Sequence, residues 1–156
     1  MESFDMHLNE IQKIVDNFLV SGEVVRIEPV TKGHINTTFR VFLRSSKGNT
    51  EQYTLQTINK YVFKNPVIVM ENIVTVTNYI KEKIKAEGGE PHRRCLTVVF
   101  TKDGRPYYLD DTGEYWRMYE YIDGSHTYDM VESAAQLYRA GFGFGNFQRI
   151  MADFPM

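Results

Sequence analysis

Apolar positions at Leu8, Ile11, Ile14, Val15, Phe18 and Leu19 recur at helical spacing and predict a first helix over 5–20, ended by Gly22. Residues 24–31 are rich in β-branched side chains and read as a strand, with Pro29 pointing to an edge position or a bulge. Strands are also expected over 35–44 and 52–58, separated by the turn cluster "SSKGNTE". Asn65-Pro66 then reads as an N-cap followed by proline at the first helical position. Beyond it Val67, Met70, Ile73, Val74, Val76, Tyr79, Ile80 and Ile84 form the wide apolar face of a long helix. Lys81, Lys83 and Lys85 suit its C-terminal end, and Gly88-Gly89 stop it. Three more strands are expected over 96–101, 106–110 and 114–121, joined by the turns "KDGR" and "DDTG", before a last helix over 129–153. This order implies an α+β fold with a mostly antiparallel sheet of five to six strands.

Composition narrows the function classes. The chain has 156 residues, 42% of them hydrophobic, which is enough for a real core. Eighteen basic residues against 20 acidic ones leave a net charge of -2 and no basic footprint for nucleic acid. The first 20 residues lack the basic start and unbroken apolar stretch of a signal peptide, and no apolar run approaches the roughly 18 residues of a membrane span. Neither a nucleic-acid nor a membrane partner is expected, and a cytoplasmic location is. Cys95 is the single cysteine, so no internal disulfide can form; it is expected as a small buried hydrophobe opening a strand.

Few stretches carry candidate chemistry. "GHIN" at 33–36 lies between two strand-like runs. Gly33 suits a tight turn there, and such a turn can either be a plain hairpin or expose amides that cradle phosphate oxygens. "AGFGFGNF" at 140–147 alternates glycines, but a helical pattern precedes it where a dinucleotide fingerprint needs a strand. Close helix packing or a helix broken in the middle accounts for it better. His7, His34, His92 and His126 show no metal-ligand spacing on one element, so no metal site is expected in this chain. Asp110 and Asp111 suit a hairpin turn, and no Gly-x-Ser-x-Gly elbow is present. "YWRMYEYIDG" at 115–124 carries large groups on both alternating faces, as a central strand covered on both sides would.

Taken in order, "GHINTTFRV" (33–41), "YTLQTIN" (53–59), "VF" (62–63), "MENI" (70–73), "WRMYEYIDG" (116–124) and "AAQLYRAGFGFGNFQRIMADFP" (134–155) resemble the N-terminal lobe of the aminoglycoside phosphotransferase and choline kinase superfamily. Within it the chain looks most similar to the N-acetylhexosamine 1-kinases. The resemblance runs along nearly the whole chain. It implies a protein-kinase-like N-lobe over 1–123, with an N-terminal helix, and the first helix of a second lobe over 124–156. It also implies transfer of the γ-phosphoryl of ATP, with Mg²⁺, to the anomeric hydroxyl of a sugar substrate.

On this resemblance Gly33, His34, Ile35, Asn36 and Thr37 form a loop over the phosphates. Glu120, Tyr121 and Ile122 contact adenine through their backbone, and Met118 lines the back of that pocket. Glu71 sits where the superfamily places the partner of a phosphate-binding lysine. The position of that lysine is Gln56 here, which can donate a hydrogen bond but brings no charge. The catalytic His-Gly-Asp loop and the metal-binding Asp of the superfamily have no counterpart, since no His-x-Asp occurs among the 156 residues. The chain is therefore expected to be the nucleotide-binding part of a kinase, inactive by itself. A kinase of homoserine, choline or an aminoglycoside, and a non-catalytic binding module, are the alternatives.

Overall fold

A computed structural model describes residues 8–31, 33, 35–92, 94–125 and 128–155 in full, and residues 2–7 by their backbone alone. The fold is α+β, with a six-stranded antiparallel sheet and three helices. In chain order these are α1 (Glu2–Val15), β1 (Glu23–Pro29), β2 (Thr38–Arg44), β3 (Thr50–Thr57), α2 (Pro66–Ala86), β4 (Val98–Val99), β5 (Tyr108–Leu109), β6 (Tyr115–Glu120) and α3 (Ala134–Met151). The sheet order is β1-β2-β3-β6-β4, with β5 also pairing β6. β1 is an edge strand, which accommodates Pro29; its bulge lies between Val24 and Arg26, away from the proline.

Internal contacts divide the chain into two units. One comprises residues 1–75 and 96–121, the other 76–95 and 122–156. The first holds the whole sheet. Its core joins Ile11, Val15 and Phe18 of the α1 segment to Val41, Leu43, Leu55, Trp116 and Met118 on one sheet face. The second unit buries Ile84, Cys95 and Ile150 and adds polar and aromatic contacts. The Arg149 guanidinium donates to both carboxylate oxygens of Glu87 at 2.7 and 3.1 Å, and Tyr79 meets Phe154 edge-on at 5.0 Å. Cys95 is buried, as expected, and precedes β4.

Several bounds depart from expectation. The first helix stops at Val15, not near residue 20. Phe18 leaves the helical path to bridge Thr101, and the Leu19 amide donates to the Phe100 carbonyl at 2.8 Å. Gly22 therefore does not end the helix. It stands at the entry to β1 with φ 140°, where an added Cβ would lie 2.7 Å from the Arg44 carbonyl oxygen. β4 and β5 keep only two residues each. α3 starts at Ala134, because Ser133 caps it by accepting from the Gln136 amide at 3.2 Å. The helix runs unbroken through Gly141, Gly143 and Gly145, and an added Cβ on any of them would meet nothing within 4 Å. Neither close packing nor a break explains these glycines.

Candidate functional site

α1 covers one face of the sheet, so the other face is where exposed polar groups can converge. Antiparallel register aligns Thr38 of β2, Gln56 of β3 and Arg117 of β6 in one row across that face. Alternation along each strand sends these side chains away from the α1 core, which takes Leu55, Trp116 and Met118. The row is hydrogen-bonded throughout. Gln56 Nε2 donates to Thr38 Oγ1 at 2.6 Å, while its Oε1 accepts from Arg117 Nε at 2.9 Å and from the Nη2 at 2.6 Å. Arginine can only donate, which fixes the orientation of the Gln56 amide. Met70, on the first half of α2, places its sulfur 3.9 Å from Arg117 Nη1.

The loop between β1 and β2 ends beside this row. Gly33 is exposed and adopts φ 114°, a conformation that side chains with a Cβ rarely take. The far end of the loop is tied to the exit of β3. Asn36 Oδ1 accepts from the Asn59 amide at 2.9 Å, Asn59 Nδ2 donates to the Ile35 carbonyl at 2.8 Å, and the Thr37 amide donates to Thr57 Oγ1 at 3.2 Å. Of the expected loop residues, Ile35, Asn36 and Thr37 are thus tied to the exit of β3, just past Gln56; Gly33 lies exposed further out in the loop, and His34 lies outside the described residues.

Other expected site residues sit differently. Met118 is fully buried in the α1-side core, so it cannot line a pocket on the Gln56 face. Tyr119, one residue on, has the correct parity and is buried on that face; burial pushes its hydroxyl pKa up. The amides of Glu120 and Tyr121 donate to the carbonyls of Thr97 and Gln52 at 3.0 and 3.2 Å. They cannot donate to a base without leaving the sheet. Ile122 belongs to the second unit and is half-buried there. Glu71 is exposed on α2, and no hydrogen bond or ion pair joins it to Gln56 among the described residues.

The cations of this unit differ in their partners. Lys60 pairs with Glu114 at 2.8 Å and donates to the Gly113 carbonyl, so it is engaged at the β5–β6 turn. The Glu114 hydrogen bond raises its pKa. Arg40 lies 3.6 Å from Glu28, bonds Gln52 and stacks between Phe42 and Tyr121. Arg117 alone of these three makes no ion pair among the described residues.

A cavity of about 420 Å³ opens on the opposite face, between α1 and the sheet. Its walls are Ile11, Ile14, Ile27, Pro29, Phe39 and Trp116, with Glu10 the one ionisable residue, which gives it no converging chemistry. Asp110 serves the turn expected of it, accepting from the amides of Thr112 and Glu114 and from Trp116 Nε1 at 2.7 Å. Among the described residues no group of three or more His, Cys, Asp or Glu side chains could hold a metal ion, and no helix is long and apolar enough to cross a membrane. Compared with models of known protein families, the chain matches none.

Proposed function

We propose that this chain is the nucleotide-binding part of a cytoplasmic small-molecule kinase, whose parent reaction moves the γ-phosphoryl of ATP to the anomeric hydroxyl of an N-acetylhexosamine. The observation that carries this reading is the β1–β2 loop, with an exposed Gly33 at φ 114° and its end anchored to β3 beside Gln56. A loop of that build can lay backbone amides against phosphate oxygens, and Gly33 lets the chain come close. The acceptor sugar rests on the sequence resemblance. Binding and positioning are the tasks this chain's residues can perform; the carboxylates that would orient the hydroxyl and hold Mg²⁺ are absent from its motifs.

Titration calorimetry tests the reading. The 156-residue chain is expected to bind ATP, and Gly33→Val to weaken that binding about tenfold, because a β-branched residue resists this φ and costs on the order of 1–3 kcal/mol there. The same strain is expected to lower the melting temperature by a few degrees, so affinity is compared at a temperature where both chains are folded. Unchanged ATP affinity in the variant, or none in the parent chain at millimolar ATP, would sink the proposal.

The absence of a His-x-Asp motif favours binding without turnover by this chain. Incubation with ATP, Mg²⁺ and N-acetylhexosamine is expected to release no sugar-dependent ADP. Steady release above the sugar-free control would show that the chain carries its own catalytic groups.

A further inference from the structure

We propose that Arg117, held by Gln56 and Thr38, is the cation this chain presents to the phosphate oxygens of a nucleotide. The inference rests on the nucleotide-binding function proposed above and assigns the charge that Gln56 lacks.

Among the described residues the guanidinium meets neutral groups, the Tyr119 ring at 5.4 Å among them. Its Nε and Nη2 both donate to one neutral oxygen, Gln56 Oε1, and its Nη1 faces the Met70 sulfur at 3.9 Å. A thioether is a weak acceptor. The positive charge is therefore oriented but not neutralised, and at least one N–H on each of the two terminal nitrogens keeps capacity for a strong acceptor. Arg40 and Lys60 have carboxylates at 3.6 and 2.8 Å, so their charge is already matched.

Position adds a second reason. Gln56 bridges Arg117 to Thr38, and Thr38 is the first residue of β2 after the Gly33–Thr37 loop. The Thr37 carbonyl accepts from the Thr57 amide at 2.9 Å, which locks that junction to β3. The guanidinium thus lies half-buried in one polar row that begins where the loop ends, with Met70 of α2 beside it. An oriented planar cation with no carboxylate partner suits an anionic phosphate chain better than a neutral sugar. Gln56 acts as the positioning residue, because its oxygen sets the plane of the fork.

Titration of the 156-residue chain with ATP, adenosine and inorganic tripolyphosphate tests this, with R117M and R117K checked by circular dichroism. R117M is expected to lose at least tenfold in affinity for ATP and tripolyphosphate and less than twofold for adenosine. R117K keeps the charge but not the fork, and is expected to lose at least threefold for ATP; it decides the matter if R117M does not fold. ATP affinity equal to the parent chain in the folded variant would overturn the inference, and so would an equal loss for ATP and adenosine. In both cases binding by the parent chain leaves the nucleotide-binding reading standing. A parent chain that binds neither ATP nor adenosine overturns both.

Discussion

Phe18→Ala is expected to cost about 3–5 kcal/mol of folding stability, the range for a large aromatic removed from a close-packed core. Phe18 is 0% exposed and lies in the cluster that joins α1 to the sheet. Its backbone also makes the bridge to Thr101, and the next amide donates to Phe100. The side chain thus fastens the segment after α1 at the place where the helix has just ended. Leu19 shares the same apolar stripe in the sequence yet is 63% exposed, so Leu19→Ala should cost less than about 0.5 kcal/mol. Urea unfolding followed by circular dichroism separates the two. A Phe18→Ala loss below about 1 kcal/mol would mean that the site collapses around the missing ring and that α1 is fastened elsewhere.

That pair shows which parts of the fold were legible. α2 was readable at both ends because its caps are local. Asn65 Oδ1 accepts from the Ile68 amide at 3.2 Å, and the Gly89 amide closes on the Ile84 carbonyl at 2.8 Å. The end of α1 was not, because the helical spacing of apolar residues continues through Phe18 and Leu19. Only a partner about 80 residues away, Thr101, pulls Phe18 out of the helix. β4 is short because it pairs β6 only as far as Met118, and β5 takes over from Trp116. Thr101 is drawn into a tight turn, accepting from the Arg105 amide at 2.9 Å, with Asp103 bonded to the Arg105 guanidinium. The α3 start was readable in principle from Ser133 and Gln136, a capping pair with the correct spacing.

At the candidate site, sequence exposed the residues that act locally and missed those defined by register. Gly33 stood out by type, and Gln56 only through the resemblance. Arg117 is 61 residues from Gln56, and their contact exists only because β3 and β6 pair Gln56 opposite Arg117. Met118, expected at the pocket, falls on the other face by strand parity. A shift of one residue moves a side chain to the other face, and Met118 and Tyr119 are both large enough to belong to either. Burial of Met118 against the α1-side core settles the parity.

Asp110→Ala is expected to destabilise the chain by about 2–4 kcal/mol, since it removes several hydrogen bonds at once and strands an indole N–H. The carboxylate accepts from Thr112 N and Oγ1, from the Glu114 amide and from Trp116 Nε1, at 2.7–2.9 Å. Trp116 is a core residue, so this turn is coupled to the sheet. Burial works to raise the Asp110 pKa; the bonds from Thr112, Trp116 and Glu114 outweigh it and leave the carboxyl below its usual value. Asp103 lies lower still, at about 2, held by Arg105 and Thr101. For a carboxyl whose folded pKa is depressed, the stability it adds is complete above the unfolded value of about 3.9 and is lost as pH falls through the folded one. Thermal melting should therefore show the parent chain losing stability below about pH 4. Asp110→Asn should be less stable at neutral pH and should flatten that acid slope, because its amide oxygen still accepts but no longer titrates. Equal acid slopes in parent and variant would place the low-pH loss in other carboxylates, and an Asp110→Ala melting temperature close to the parent's would show that Trp116 does not need this bond.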